Sequence, residues 1–133
     1  VGLGARTNDD GIAQFRCMIE PSGATVIAVP TTKVLHLKSS VTALPDGAVI
    51  GYEPVVDDID VFASFVPMPE EPGAHVVDLG DGELLRTART KESKFLIEQF
   101  GYRVVIVDIS EFEKLEGCVT CLSVRLRSDP AWY

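Results

Sequence analysis

Leu44-Pro45-Asp46-Gly47-Ala48-Val49-Ile50 and Leu79-Gly80-Asp81-Gly82-Glu83-Leu84-Leu85 are two versions of one pattern, 35 positions apart in a chain of 133 residues. In each, a short apolar strand runs into an Asp-Gly hairpin turn, where glycine supplies the positive φ, and a second apolar strand leaves it. An apolar trio follows at the same offset: Val61, Phe62 and Phe65 in the first copy, Leu96, Ile97 and Phe100 in the second. Its i, i+1, i+4 spacing predicts a helix in both copies. Each unit then closes with a strand, Phe65-Val66-Pro67 in the first and Tyr102 to Asp108 in the second.

Working outward, the N-terminal residues read as a third, truncated copy. They predict a strand over Val1 to Gly4, a helix from about Asp9 to Pro21, with Thr7 and Asp10 placed as a capping box, and a strand over Ala24 to Pro30. Ala5-Arg6-Thr7 and Ala88-Arg89-Thr90 occupy the same place in their units. A strand over Val119 to Arg127 opens a further unit. The expectation is one domain over residues 1–133, with two whole ββαβ units, roughly 31–70 and 71–109, flanked by partial ones. Units that cannot bury their faces alone and that stack at a fixed period predict a repeat or propeller-like α/β architecture. The alternative is an α+β domain in which two hairpins are similar by chance. Val1-Gly2-Leu3-Gly4, with no initiating Met, reads as the second half of a strand, so the chain is expected to be a piece of a larger protein.

Apolar residues make up 46% and charged residues 24% of the chain, a balance that supports a core rather than disorder. The net charge of −8 leaves no basic field for a phosphate backbone, so nucleic acid is not an expected partner. No apolar run is long enough to span a bilayer, and the N-terminus lacks the basic-then-apolar order of a signal peptide. A soluble protein with no membrane partner is expected. Three cysteines, an odd number, fit a reducing compartment, which makes the cytoplasm the expected location.

Chemistry concentrates in two places. Cys121 enters a predicted apolar strand behind Gly117 and Thr120, and His36 sits between the loop Pro30-Thr31-Thr32-Lys33 and a strand starting at Val41. A thiol with a distant imidazole is the sequence form of a nucleophile and its proton shuttle. A cysteine beside Leu and Val is also commonly a small buried hydrophobe, and spacing alone leaves both readings open. Cys118-x-x-Cys121 lacks the second pair that a structural zinc site needs, and as a redox motif it should open a helix rather than a strand. Cys17, on a predicted helix among apolar neighbours, is expected in the core. His75 is expected to be a structural or surface residue on a hairpin strand. Arg6, between a strand and its helix, points to the rim that carries His36, where a guanidinium suits a carboxylate; a solvated surface arginine is the alternative, and Arg89 is its repeat mate.

Val1-Gly2-Leu3-Gly4-Ala5-Arg6-Thr7-Asn8, Leu35-His36-Leu37-Lys38-Ser39, Ser110-Glu111-Phe112-Glu113-Lys114-Leu115-Glu116-Gly117 and Thr120-Cys121-Leu122-Ser123 together resemble the C-terminal half of the dimethylarginine dimethylaminohydrolases. These belong with arginine deiminases and amidinotransferases in the guanidine-modifying superfamily. The resemblance covers essentially the whole chain in order and spacing. It implies a five-bladed α/β propeller of ββαβ units, here an incomplete one of about two and a half blades. By the resemblance, Cys121 matches the nucleophile, His36 the general acid and base, Arg6 the holder of the substrate carboxylate, and Leu115 a residue whose backbone carbonyl receives the substrate's amino group. Lys38 departs from the arginine deiminases, which place Asp two residues after the His, and Thr120 stands where they have Arg.

The implied activity is hydrolysis of Nω-methylated arginine to citrulline and methylamine or dimethylamine through a covalent thiouronium. No metal or organic cofactor is implied, although a thiolate beside an imidazole is a place where Zn²⁺ would bind as an inhibitor. The family's acidic partner of the His, and the carboxylates that grip the guanidinium, are not in this sequence. The implied protein partner is therefore the N-terminal half of the same enzyme or a second copy of the chain, and the isolated piece is expected to be inactive. Two alternatives are an arginine deiminase-like hydrolase of another guanidine substrate and a non-catalytic propeller half that binds a partner chain.

Overall fold

A computed structural model describes residues 1–126 of the chain. It opens with strand β1 (Gly2–Gly4), helix α1 (Asp9–Ile19) and strand β2 (Val29–Thr31), the two strands pairing in parallel. A sheet of β3 (Val41–Ala43), β4 (Val49–Gly51) and β5 (Phe65–Pro67) follows. A second sheet contains β6 (Val77–Gly80), β7 (Glu83–Thr87) and β8 (Arg103–Val107), with helix α2 (Lys91–Gln99) between β7 and β8. In both sheets the first two strands are antiparallel and the third runs parallel to the middle one. The sequence repeat is thus a repeat of topology in a mixed α/β fold. A short helix, α3 (Ser110–Glu113), ends the regular structure of the described residues.

The two Asp-Gly turns differ in detail. Asp81 and Gly82 both have positive φ, 50° and 75°, which makes a two-residue hairpin whose twist matches the strands. Around Gly47, at φ 90°, the loop is longer and closes through Leu44 N–H to Ala48 O at 2.7 Å.

Only the second unit has the expected α-helix. Between β4 and β5 the chain makes a single 3-10 turn, Glu53–Val55, and then bends to Ser64. Pro54 and a run of aspartates explain the difference, because short carboxylates offer the backbone local bonds that compete with a helix. Asp58 Oδ1 accepts from Asp60 N–H at 3.0 Å, and Asp57 is taken by Thr32. Phe62 stacks on Phe65 at 5.9 Å instead of lining a helix face.

Other boundaries also moved. The cap of α1 is Asn8, whose Oδ1 accepts from Gly11 N–H at 2.9 Å, not a Thr7–Asp10 box; Thr7 is held in a tight backbone bridge with Gly4. β2 covers only the end of the expected Ala24 to Pro30 strand and reaches Thr31. Cys17 is exposed rather than buried, because α1 buries only Ile12 and leaves Ala13, Phe15 and Met18 exposed as well. The expected strand from Val119 is a turn through Leu122, with no strand as far as residue 126; Arg127 lies outside the described residues.

One core joins the two sheets. Leu44, Ile50 and Met68 from the first unit pack on Val76, Leu84 and Ile97 from the second. A smaller cluster of Val77, Ile109 and Val119 fastens the turn after α3 onto the second sheet. On β7, Arg86 is fully buried. Burial pulls its guanidinium below the ordinary arginine value, and the carboxylates of Glu70 and Glu98 push back.

Glu70 also caps α2 from outside. Its carboxylate accepts from Glu92 N–H at 3.3 Å, Ser93 N–H at 3.0 Å and the Ser93 hydroxyl, while Thr90 at the helix start gives no such bond. Burial raises the Glu70 pKa, but these bonds outweigh it and hold the carboxyl below its ordinary value of 4.5. A depressed folded-state pKa means stability that is fully present above that ordinary value and lost as pH falls through the folded one. Glu70→Gln is therefore expected to cost about 1 kcal/mol at neutral pH. That deficit should shrink below pH 4.5, as denaturant melts of the two proteins across pH will report.

Candidate functional site

His36 is positioned by a pinned loop. Asp57 accepts from Thr32 N–H at 2.7 Å, from the Thr32 hydroxyl, and from Lys33 N–H at 3.4 Å. The Thr32 hydroxyl is the largest cause holding the Asp57 carboxyl below its ordinary value, followed by the Thr32 amide. Lys33 Nζ adds a bond to Val56 O at 2.7 Å. Beyond His36 a 3-10 turn over Leu37–Ser39 is anchored by His75, whose Nε2–H donates to Ser39 O at 3.0 Å. His75 precedes β6 instead of lying in the hairpin strand, and it ties the second unit to the turn that carries His36.

Cys121 is positioned by the turn that Val119 anchors. Cys121 N–H and Leu122 N–H both donate to Cys118 O, at 3.0 and 3.1 Å, and Ser123 Oγ donates to Val119 O at 2.6 Å. Arg125 then reaches back to Asp78 on β6 at 2.9 Å. Cys118 is buried and Cys121 exposed, with their sulfurs 3.2 Å apart in a thiol–thiol hydrogen bond. The bond to Cys118 is the main reason Cys121 is pushed above the ordinary thiol value. Burial raises Cys118, but the Thr120 hydroxyl at 3.0 Å and the Cys121 thiol hold it below that value.

The two elements face one cleft of about 700 Å³, lined by His36, Cys121, Leu115, His75 and Cys118 among others. His36 and Leu35 also line an adjoining pocket of about 90 Å³ that contains Arg6. The structure therefore brings His36 and Cys121 to one cavity, with Leu115 on its wall and Arg6 next door. His36, Arg6, Leu115 and Cys121 are all exposed.

Sequence reasoning missed the role of Glu113, one of the carboxylates that line this cleft. Glu113 on α3 accepts from the Thr87 hydroxyl at 2.7 Å and from Arg89 at 3.4 Å, and all three line the cavity. No local motif marks this bond across 26 residues. Among the described residues, no group of three or more His, Cys, Asp or Glu is arranged to hold a metal ion.

The chain is 59% identical to N(G),N(G)-dimethylarginine dimethylaminohydrolase of Streptomyces coelicolor over 127 residues, which is 96% of this chain and 49% of the relative. The chain is a homologue of the dimethylarginine dimethylaminohydrolases. These lie in the amidinotransferase superfamily, and the chain spans about half the length of the curated relatives it matches. The Pseudomonas aeruginosa enzyme, solved as a Cys-to-Ser mutant complexed with citrulline, superposes with a TM-score of 0.79 at 28% identity, covering 95% of this chain and 50% of that one. A dimethylarginine dimethylaminohydrolase with His replaced by Gly, solved as an adduct with S-methyl-L-thiocitrulline, gives 0.82 at 28% identity over the same shares. No family model matches the chain. In this dimethylarginine dimethylaminohydrolase homologue no helix among the described residues is long and apolar enough to cross a membrane.

Proposed function

We propose that the protein carrying this chain is an amidine hydrolase that converts Nω,Nω-dimethyl-L-arginine or Nω-monomethyl-L-arginine to L-citrulline and dimethylamine or methylamine. The observation that carries the reading is the single cleft shared by Cys121 and His36. Cys121 thiolate attacks the guanidinium carbon, and cationic His36 protonates the amine that leaves, giving an S-alkylthiouronium. Neutral His36 then takes a proton from water, which attacks the same carbon; the C–S bond breaks and citrulline departs. Arg6 holds the substrate carboxylate and the Leu115 carbonyl its ammonium group. Relatives support the assignment: one Cys-to-Ser mutant is complexed with citrulline, and one His-to-Gly variant forms an adduct with a citrulline analogue.

The architecture that goes with this activity is an incomplete five-bladed propeller of about two and a half blades in a single domain. Its complement is the other half of the enzyme or a second copy of the chain. Exposed apolar residues such as Val105 and Ile106 on β8 are surface such a complement would cover. Cytoplasmic location is part of the same reading.

The test is turnover by the full-length natural protein. Citrulline should form from methylated arginines and not from arginine; citrulline from unmethylated arginine would favour a deiminase-like enzyme. Arg6→Ala should raise KM about 10- to 100-fold with little change in kcat, the effect of losing a charge-assisted bond to substrate. An unchanged KM would remove Arg6 from the site.

A further inference from the structure

We propose that Cys118 and Cys121 form a reversible intramolecular disulfide when a hydroperoxide reaches the cleft, and that this disulfide switches the hydrolase off. Bond formation needs only the geometry below; the loss of activity rests on the hydrolase reading, in which Cys121 is the nucleophile.

The Cys121 N–H to Cys118 O bond closes an i to i+3 turn, which keeps the two Cα atoms within about 7 Å. Disulfides occupy that range, with Cα atoms usually about 4.4–6.8 Å apart. The sulfurs already face each other at 3.2 Å, so reaching the bonded distance of ~2.05 Å needs a small side-chain rotation. The structure places Cys118-x-x-Cys121 in a turn, neither the expected strand nor the start of a helix, so the disulfide reading rests on the contact between the two sulfurs. Accessibility divides the roles. Cys121 is exposed on the cleft, and Cys118 is buried behind it. Cys17 is exposed on α1 and does not line the cleft.

The chemistry balances with the peroxide as oxidant. The Cys121 thiolate attacks one peroxide oxygen, the O–O bond breaks, and hydroxide leaves, giving a sulfenic acid. The Cys118 thiolate attacks the Cys121 sulfur, the S–S bond forms and the S–O bond breaks. The departing hydroxide, with the proton Cys118 has lost, is water. Hydrogen bonds that favour the Cys118 thiolate support its part as the resolving thiol. The bond also keeps Cys121 from irreversible oxidation to sulfinic acid.

The experiment treats the full-length protein with one equivalent of hydrogen peroxide, blocks free thiols, and digests it with trypsin. The peptide Leu115 to Arg125 should be unblocked at both cysteines and lighter by two hydrogens, with Cys17 blocked; dithiothreitol should restore two reactive thiols. With peroxide in excess, Cys121 of the Cys118→Ser variant should gain two oxygens at least about tenfold faster than in the parent, and dithiothreitol should not reverse it. Blocked Cys118 and Cys121 after peroxide, or equal rates of sulfinic acid formation, would overturn the disulfide. The peptide mass is read without turnover, so this part stands or falls independently of the hydrolase reading. Citrulline formation should fall in step with the disulfide and return with dithiothreitol; a complete disulfide with full activity would overturn the switch.

Discussion

Cys121→Ser in the full-length protein lowers kcat for methylated arginine by at least about 10³-fold, a loss of the size seen when a covalent nucleophile is removed. A serine hydroxyl cannot ionise near neutral pH, and nothing in the turn would activate it as His36 and the substrate cation activate a thiol. Cys121 is exposed, so its replacement should leave stability within about 0.5 kcal/mol and cannot be mistaken for unfolding. His36→Ala should cost about 10²- to 10⁴-fold, the usual worth of a positioned acid and base. The double variant should be no worse than the poorer single one, because the two groups act on the same bond changes. Steady-state rates of the three proteins check this, and additive losses would mean that the two residues do not share a step.

Leu84→Ala produces a large loss of stability. Leu84 is 0% exposed on the middle strand of the second sheet and packs in the cluster that joins both sheets. Truncating a buried Leu costs about 2–5 kcal/mol, against a total of about 5–15 kcal/mol for a domain. The midpoint of thermal unfolding should fall by roughly 10 °C or more. Leu79 lies on the partner strand of the same hairpin but is 49% exposed, so Leu79→Ala should move the midpoint by a degree or two at most. Equal effects at the two positions would mean that the hairpin packs by its other face.

The hairpins at Asp46-Gly47 and Asp81-Gly82, and the pairing of each with a third strand, were legible because glycine in a tight turn and alternating apolar residues are local signals. α2 was legible from Leu96, Ile97 and Phe100 for the same reason. The same trio failed in the first unit, where Asp57 is committed to Thr32, 25 residues away, and the sequence does not announce that partner. The turn at Cys118 to Leu122 misread as a strand shows the same limit: Val119 and Leu122 look like strand residues, but Val119 is an anchor in a cluster with Val77 and Ile109. Cys121, His36, Arg6 and Leu115 were singled out through resemblance to a family, while composition and spacing left Cys121 open as a core residue. Glu113 was invisible because its partners Thr87 and Arg89 come from a different element.

The most direct measurement is the site of covalent attachment. A His36→Gly form of the full-length protein, incubated with S-methyl-L-thiocitrulline and digested, should carry one adduct, on Cys121, with the mass of the ligand less methanethiol. That leaving group departs without an acid, so the first step survives, and water is no longer activated to clear the product. An adduct on Cys118 or Cys17, or turnover with no adduct on any cysteine, would contradict Cys121 as the nucleophile.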